Sequence, residues 1–385
     1  MPVLLLVVIY LTFISLGLPD AVFGGAWPAI YPALNANVGI AGALTAVATV
    51  GTLVSTLGAS NLSRKFGVGL LVALSTLLTA IGLIGLSQAD HIAWFFLWMI
   101  PIGFGGGAID AALNNYVATH YQAHHMNWMH ACWGIGAGIG PIIFALSYAQ
   151  TQDWHTGFTL VAAIQFALVV ILLVAVPLWA KVRARKAGSG DTTLIPDNWR
   201  IILGNRRVWL ALFSFLFYVS AEIGTGFWAA TYAVTIQHIP VAQAAALTGI
   251  YFGSIGISRI VCGFLVMKLS NELMIRAGIL IGVAGIALFM AGGSFATSVL
   301  GLALAGAGFA PVFPGMIHET PRRFGAASSQ KLISLQMAFG YTCGLVILPL
   351  LGLVAAISSA TVVFAVVLAL LAGLLFTTEK IKHQY

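Results

Sequence analysis

Three acids and one base stand where charge is costly. Asp20, Asp110 and Glu222 lie inside long apolar runs, and so does Arg259. An ionised side chain at the centre of a membrane helix costs about 3 kcal/mol or more. Taking up a proton removes the charge and most of that cost, so a carboxyl that passes between wet and dry surroundings can carry protons. The other role open to each acid is structural, bonded to backbone or paired permanently with Arg259. Asp110 is the leading candidate for proton coupling: Gly106, Gly107 and Asn114 share its helical face, leaving space and an amide beside it. Arg259 cannot lose its proton and needs an anionic counterpart. A salt bridge broken on proton entry, an anchor for an anionic substrate, and snorkelling to an interface all satisfy that need.

Around these charges lie groups suited to a hydroxylated solute. Trp27, Trp133, Trp228, Tyr31 and Tyr232 can stack on the C–H face of a sugar ring, or can form an interfacial aromatic belt. Asn114, Asn115, His130 and Gln336 can exchange hydrogen bonds with hydroxyls, since amides both donate and accept. His130 suits a proton relay or a helix–helix hydrogen bond equally well. His120, His124, His125 and His130 fall together, but no acid or Cys joins them, so no metal site is expected. Cys132, Cys262 and Cys343 lie in apolar runs and predict no disulfide framework. The chain has no phosphate-binding Gly-x-x-x-x-Gly-Lys loop, no His-Glu-x-x-His and no Gly-x-Ser-x-Gly, so neither an ATP-driven pump nor an intramembrane hydrolase is indicated. The series Gly134, Gly136, Gly138, Gly140 predicts close helix packing.

The elements that position these residues follow from composition. Of 385 residues, 60% are hydrophobic and 7% charged, against roughly 25% charged in a soluble domain. A soluble enzyme and a nucleic-acid binder are excluded, and a polytopic membrane protein is implied. Apolar runs of the length a bilayer requires predict twelve helices near 3–32, 38–62, 68–88, 92–119, 126–150, 155–179, 208–236, 243–267, 274–293, 297–317, 329–353 and 356–377. The first has no basic leader and reads as a retained helix rather than a signal peptide. Every Lys and Arg except Arg259 falls in connections on one side, including Arg64, Lys65, Arg185, Lys186, Arg200, Lys268, Arg322, Lys380 and Lys382. The positive-inside rule then places both termini in the cytoplasm, in a cell (inner) membrane.

The longest hydrophilic stretch divides the chain into 1–180, a linker 181–207, and 208–385. The halves resemble each other. The first helix carries Asp20, Trp27 and Tyr31, the seventh Glu222, Trp228 and Tyr232. A polar residue stands four before a Gly in both the fifth helix (His130, Gly134) and the eleventh (Gln336, Gly340). The third, sixth, ninth and twelfth helices are apolar all round and predict lipid-facing supports. Two pseudo-symmetric six-helix bundles with a polar path between them are a common plan for secondary transporters.

These features resemble the major facilitator superfamily and, within it, the fucose permease-like group of sugar:proton symporters. The stretch Gly107-Ala-Ile-Asp110-Ala-Ala-Leu-Asn114-Asn115 is similar to that group's acid-x-x-x-Asn-Pro. Tyr218-x-x-x-Glu222-x-x-x-Gly226-x-Trp228-x-x-x-Tyr232 resembles its seventh-helix pattern, with further likeness at His130–Gly136 and Gly256–Arg259. Asp110 replaces a longer Glu, Asn115 replaces the Pro, and Arg64 stands where the superfamily's 2–3 signature has its acid. The resemblance implies alternating access and proton-coupled uptake of a sugar or similar small solute, with the proton gradient as energy source and no cofactor. The expected partners are substrate, protons and the bilayer, with no nucleic acid and a functional monomer. Export of amphipathic compounds, or uptake of an anion anchored by Arg259, are the alternatives.

Overall fold

The computed structural model describes residues 3–121, 123–183 and 203–382, and no strand occurs among them. Among the described residues six helices form the first half: α1 (Val3–Ala33), α2 (Ile40–Phe66), α3 (Val68–Ser87), α4 (Ile92–His120), α5 (Ala123–Thr151) and α6 (Trp154–Arg183). The second holds α7 (Arg206–Thr235), α8 (Val241–Leu265), α9 (Asn271–Ala291), α10 (Phe295–Phe324), α11 (Lys331–Ile357, continuous with a first turn from Ala326) and α12 (Ala360–Lys382). All twelve are long and apolar enough to cross a membrane. Helix occupies the flanks of the expected linker up to Arg183 and from Arg206. Most of the linker, with Arg185, Lys186 and Arg200, lies outside the described residues.

Local chemistry sets the helix ends. His91, Asn205 and Ser270 each accept a hydrogen bond from a first-turn backbone N–H, and Ser294 with Thr297 forms a reciprocal capping box at α10. Only Gly67 separates α2 from α3, at φ +80°, a conformation that favours glycine. Two helices are interrupted where proline removes a backbone donor. α10 breaks at Ala310–Pro311. α11 contains a π turn, Cys343–Ile347, just before Pro349, whose missing N–H deprives the carbonyl four residues earlier of its partner.

α3 packs on α4 and α6, α9 on α10, and α12 on α7, leaving apolar side chains such as Val170, Val174, Leu280 and Phe376 exposed as lipid-facing surface. The halves meet where α5 lies along α8, α1 against α7, and α2 against α11. Alternate glycines of α5 serve two different neighbours. A Cβ on Gly134 would sit 2.7 Å from Gly256 Cα, and one on Gly138 2.8 Å from Gly253 Cα, so α8 can approach only bare backbone. Gly136 and Gly140 instead abut the carbonyls of Ile14 and Leu18 on α1.

Candidate functional site: a line of polar side chains between the halves

On α1, every residue from Ser15 to Ile30 is buried except Asp20, which is exposed. Its neighbours on all sides being covered, Asp20 looks onto an internal surface between helices rather than onto lipid. Pro19 cannot donate to the Ser15 carbonyl one turn back, and Gln165 of α6 fills the vacancy. Its Nε2 donates to Ser15 O at 2.6 Å while Ser15 Oγ donates to Gln165 Oε1 at 2.5 Å. Gln165 is completely buried in an otherwise apolar helix, and it holds the turn that presents Asp20. The Trp133 indole N–H donates to Asp20 Oδ2 at 2.8 Å.

Asp110 lies nearer the side that carries the Lys/Arg-bearing connections, hereafter the basic face. Gly106 of α4 stands 3.7 Å, at its Cβ position, from Leu16 of α1. Since Asp110 and Asp20 lie one turn beyond these residues in opposite directions, about 12 Å of helix rise separates their levels. Asp110 is half-buried. Asn114 Nδ2 donates to its Oδ1 at 2.8 Å, and the Tyr341 hydroxyl of α11 donates to its Oδ2 at 3.4 Å, from the other half of the molecule. The Asn114 oxygen is 3.1 Å from His130 Nε2, which donates there when that nitrogen carries the ring proton. Asp110, Asn114 and His130 therefore form one chain of hydrogen bonds, and His130 and Trp133 sit one turn apart on α5. The line continues through Trp133 to Asp20.

Arg259 meets Glu222. The pair is within the second half, at 3.0 Å, with both side chains under a tenth exposed. Tyr251 donates to the Glu222 carbonyl at 2.8 Å, and Tyr218 to the carbonyl of Phe309 at the α10 break, at 3.1 Å. The Arg259 guanidinium lies 5.9 Å from the Trp133 ring and 5.8 Å from that of Phe313, within cation–π range. Trp133 thus touches Asp20 of its own half and Arg259 of the other.

Several other residues singled out from the sequence sit apart from this line. Trp27 is fully buried and donates to Val38 O at 2.9 Å. Trp228 is fully buried against Phe227. Tyr232 donates to Met290 O and packs on Phe289 and Phe364, inside its own half. Tyr31 packs on Trp27. Gln336 is buried and accepts from Thr320 Oγ1 at 3.0 Å. Asn115 is exposed and, five residues on, points about 140° around α4 from Asp110. The recognition surface expected from these six is not assembled in this arrangement, because dense packing covers four, Tyr31 is half-buried against Trp27, and helical phase turns Asn115 away. Of the loop histidines, His125 meets Tyr10 Oη at 2.8 Å and His120 bonds the Tyr116 carbonyl. Tyr341 and Gln165 were not singled out from the sequence. A Pro one residue before an intramembrane acid is the signal that could have prompted a search for a partner such as Gln165.

The Major Facilitator Superfamily profile matches residues 9–335. The chain belongs to that superfamily, and it is a membrane transporter, not an enzyme. Among solved structures it is similar to the nucleoside transporter NupG, at 16% identity over 99% of each chain with a TM-score of 0.74. It is also similar to a bacterial homologue of the human lysosomal transporter Spinster, in an inward-facing and occupied conformation, at 11% identity over 97% of this chain and 95% of that one, with a TM-score of 0.73. At such identities the likeness concerns the fold. A comparison with curated protein sequences gives no significant match.

Proposed function

We propose that this protein is a proton-coupled secondary transporter of a sugar or similarly hydroxylated small solute, working by alternating access between the two halves, 1–180 and 208–385. The observation that carries the reading is Asp110, a half-buried carboxyl whose hydrogen-bond partners are the neutral groups of Asn114 and Tyr341. An amide and a phenol tolerate either protonation state, whereas a fixed cation would lock the carboxyl ionised. Asp20 is the further acid of the path, whereas Glu222, expected from the sequence as another proton carrier, is held by the fixed charge of Arg259 at 3.0 Å; Asn114, His130 and Trp133 are the groups on the path suited to bind hydroxyls and a ring face. The proton gradient is the energy source, with no cofactor, and the basic face is cytoplasmic by the positive-inside rule.

In proteoliposomes, Asp110→Asn is expected to abolish pH-gradient-driven accumulation while substrate exchange persists. Unimpaired accumulation by that variant removes Asp110 from the mechanism.

A second reading is export of amphipathic cations. It draws on charge balance: Arg259 is met by Glu222, whereas among the described residues no Lys, Arg or His lies within 4.0 Å of the carboxylates of Asp20 or Asp110. A thermal-shift screen of purified protein separates the two, because a ligand of the native state stabilises it. Stabilisation by sugars or nucleosides favours the first reading, and stabilisation by lipophilic cations alone favours the second. The Glu222 partner also leaves less support for an anionic substrate anchored by Arg259.

A further inference from the structure

We infer that Tyr341 is the positioning residue that ties the proton on Asp110 to the relative arrangement of the two halves. The inference rests on the proton-coupled reading above and adds the linkage that reading lacks. Tyr341 reaches Asp110 from the opposite half, its hydroxyl 3.4 Å from Oδ2, a long hydrogen bond for an O–H donor, while Asn114 holds Oδ1 at 2.8 Å. A hydrogen bond to an ionised carboxylate is roughly twice as strong as one to a neutral acceptor. The bond therefore favours the arrangement seen here when Asp110 is ionised, and protonation weakens it.

The build of α11 allows that change to become movement. Tyr341 lies two residues before the π turn Cys343–Ile347, and beyond the turn Leu348–Ile357 is pinned to the other half. There a Cβ on Gly42 would sit 2.7 Å from Pro349 Cα, and one on Gly39 2.9 Å from Ala356 Cβ. The far-side end of α11 is thus clamped on α2, and the end that carries Tyr341 is joined to it through a defect in the helical ladder. A Cβ on Gly344, inside that defect, would collide with Thr49 of α2. The other groups facing Asp110 are consistent with a switch at this bond. α5 contributes His130 through Asn114, and α1 contributes Asp20 about two turns deeper. α2 contributes the hydroxyls of Thr52 and Thr56, which bond the Gly103 and Gly107 carbonyls of α4, and the Thr56 hydroxyl also faces that of Tyr341.

The test compares Tyr341→Phe with Asp110→Asn and the double variant. Spin labels are placed at Leu62→Cys on α2 and Leu265→Cys on α8, both exposed, with Cys132, Cys262 and Cys343 replaced. Inter-label distance distributions are recorded from mildly alkaline to mildly acidic pH. In the parent, acid is expected to shift the population ratio of the two arrangements by about threefold, less than the full difference between a charge-assisted and a neutral hydrogen bond because the contact is long. Tyr341→Phe should lose most of that pH response while still binding the substrate identified by thermal shift, so that lost response is not lost folding. In the Asp110→Asn background, Tyr341→Phe should add no further change to the pH response, since the amide that remains does not titrate. If Asp110→Asn flattens the response and Tyr341→Phe leaves it intact, the role assigned to Tyr341 is wrong and the proton-coupled reading stands. Retention of the full response by Asp110→Asn overturns both. If Tyr341→Phe does not bind substrate, the double variant decides: an additive effect on the population ratio overturns the inference, and a non-additive one supports it.

Discussion

The Glu222–Arg259 pair shows how a single residue can be costly to remove without being a source of stability. Two ions taken out of water recover their desolvation cost only through good geometry, and here the separation is 3.0 Å with Arg259 Nε left without a partner among the described residues. Removing one partner strands the other. Arg259→Gln is expected to lower stability by about 3–5 kcal/mol, and Glu222→Gln added to it should restore a large part. Denaturant unfolding of the purified single and double variants measures both. Equal losses in the two would mean that Glu222 is not the partner that matters. Arg259 was legible in the sequence as a charge in need of a counterion, because a lone guanidinium in an apolar run has few solutions. Its choice of Glu222 over Asp20 or Asp110 was not legible, since three acids on three helices differ only in how α7, α1 and α4 pack around α8.

At the scale of elements, helix phase explains what a sequence can and cannot convey. Asp110 and Asn114 are four apart on one helix, so their contact follows from the helical repeat alone. Gln165 and Ser15 are 150 residues apart, and their contact exists because Pro19 frees a carbonyl that Gln165 of α6 reaches. Gln165→Leu should leave that carbonyl unmet and lower stability by roughly 1–3 kcal/mol. Pro19→Ala in the same chain should recover part of the loss, because an N–H returns to the site. Thermal unfolding of the two variants tests the pairing, and no recovery by Pro19→Ala would separate Gln165 from the proline. Trp27 and Trp228 illustrate the opposite limit. Their place along the helices was readable, and both are fully buried. Whether their faces meet a cavity or a neighbouring helix depends on tertiary packing, and both meet neighbours here. Tyr341 escaped notice for a related reason, since it faces Asp110 from a helix in the other half.

For the whole molecule, the two halves are joined along a seam where several positions, Gly134, Gly138 and Gly256 among them, leave no room for a Cβ. The α5–α8 seam predicts an asymmetry between two glycines that face each other. A Cβ on Gly138 would lie 2.8–2.9 Å from Gly253 backbone atoms, whereas one on Gly253 meets nothing nearer than 4.0 Å. Gly138→Ala is expected to shift the population away from this arrangement of halves and to lower transport, and Gly253→Ala to be nearly neutral. Uptake assays with label-to-label distances across the seam measure both, and equal effects would contradict the packing. The twelve spans were legible because hydropathy acts along the chain, but the apolar character of α3 did not foretell an outer position, its span being 61% buried against 28% for α2 and 22% for α11. The seam was visible only as a glycine stripe, without its partner, because nothing in α5 alone states that α8 and α1 take alternate residues.

On this mechanism a proton held on Asp110 moves with the solute. Adding substrate to de-energised proteoliposomes while following the external pH measures that coupled movement. Wild-type protein is expected to give substrate-dependent proton uptake into the vesicles, seen as external alkalinisation. Asp110→Asn should give none while still exchanging labelled for unlabelled substrate. Substrate movement by the wild type without any proton flux, or an undiminished flux with Asp110→Asn, would contradict this mechanism.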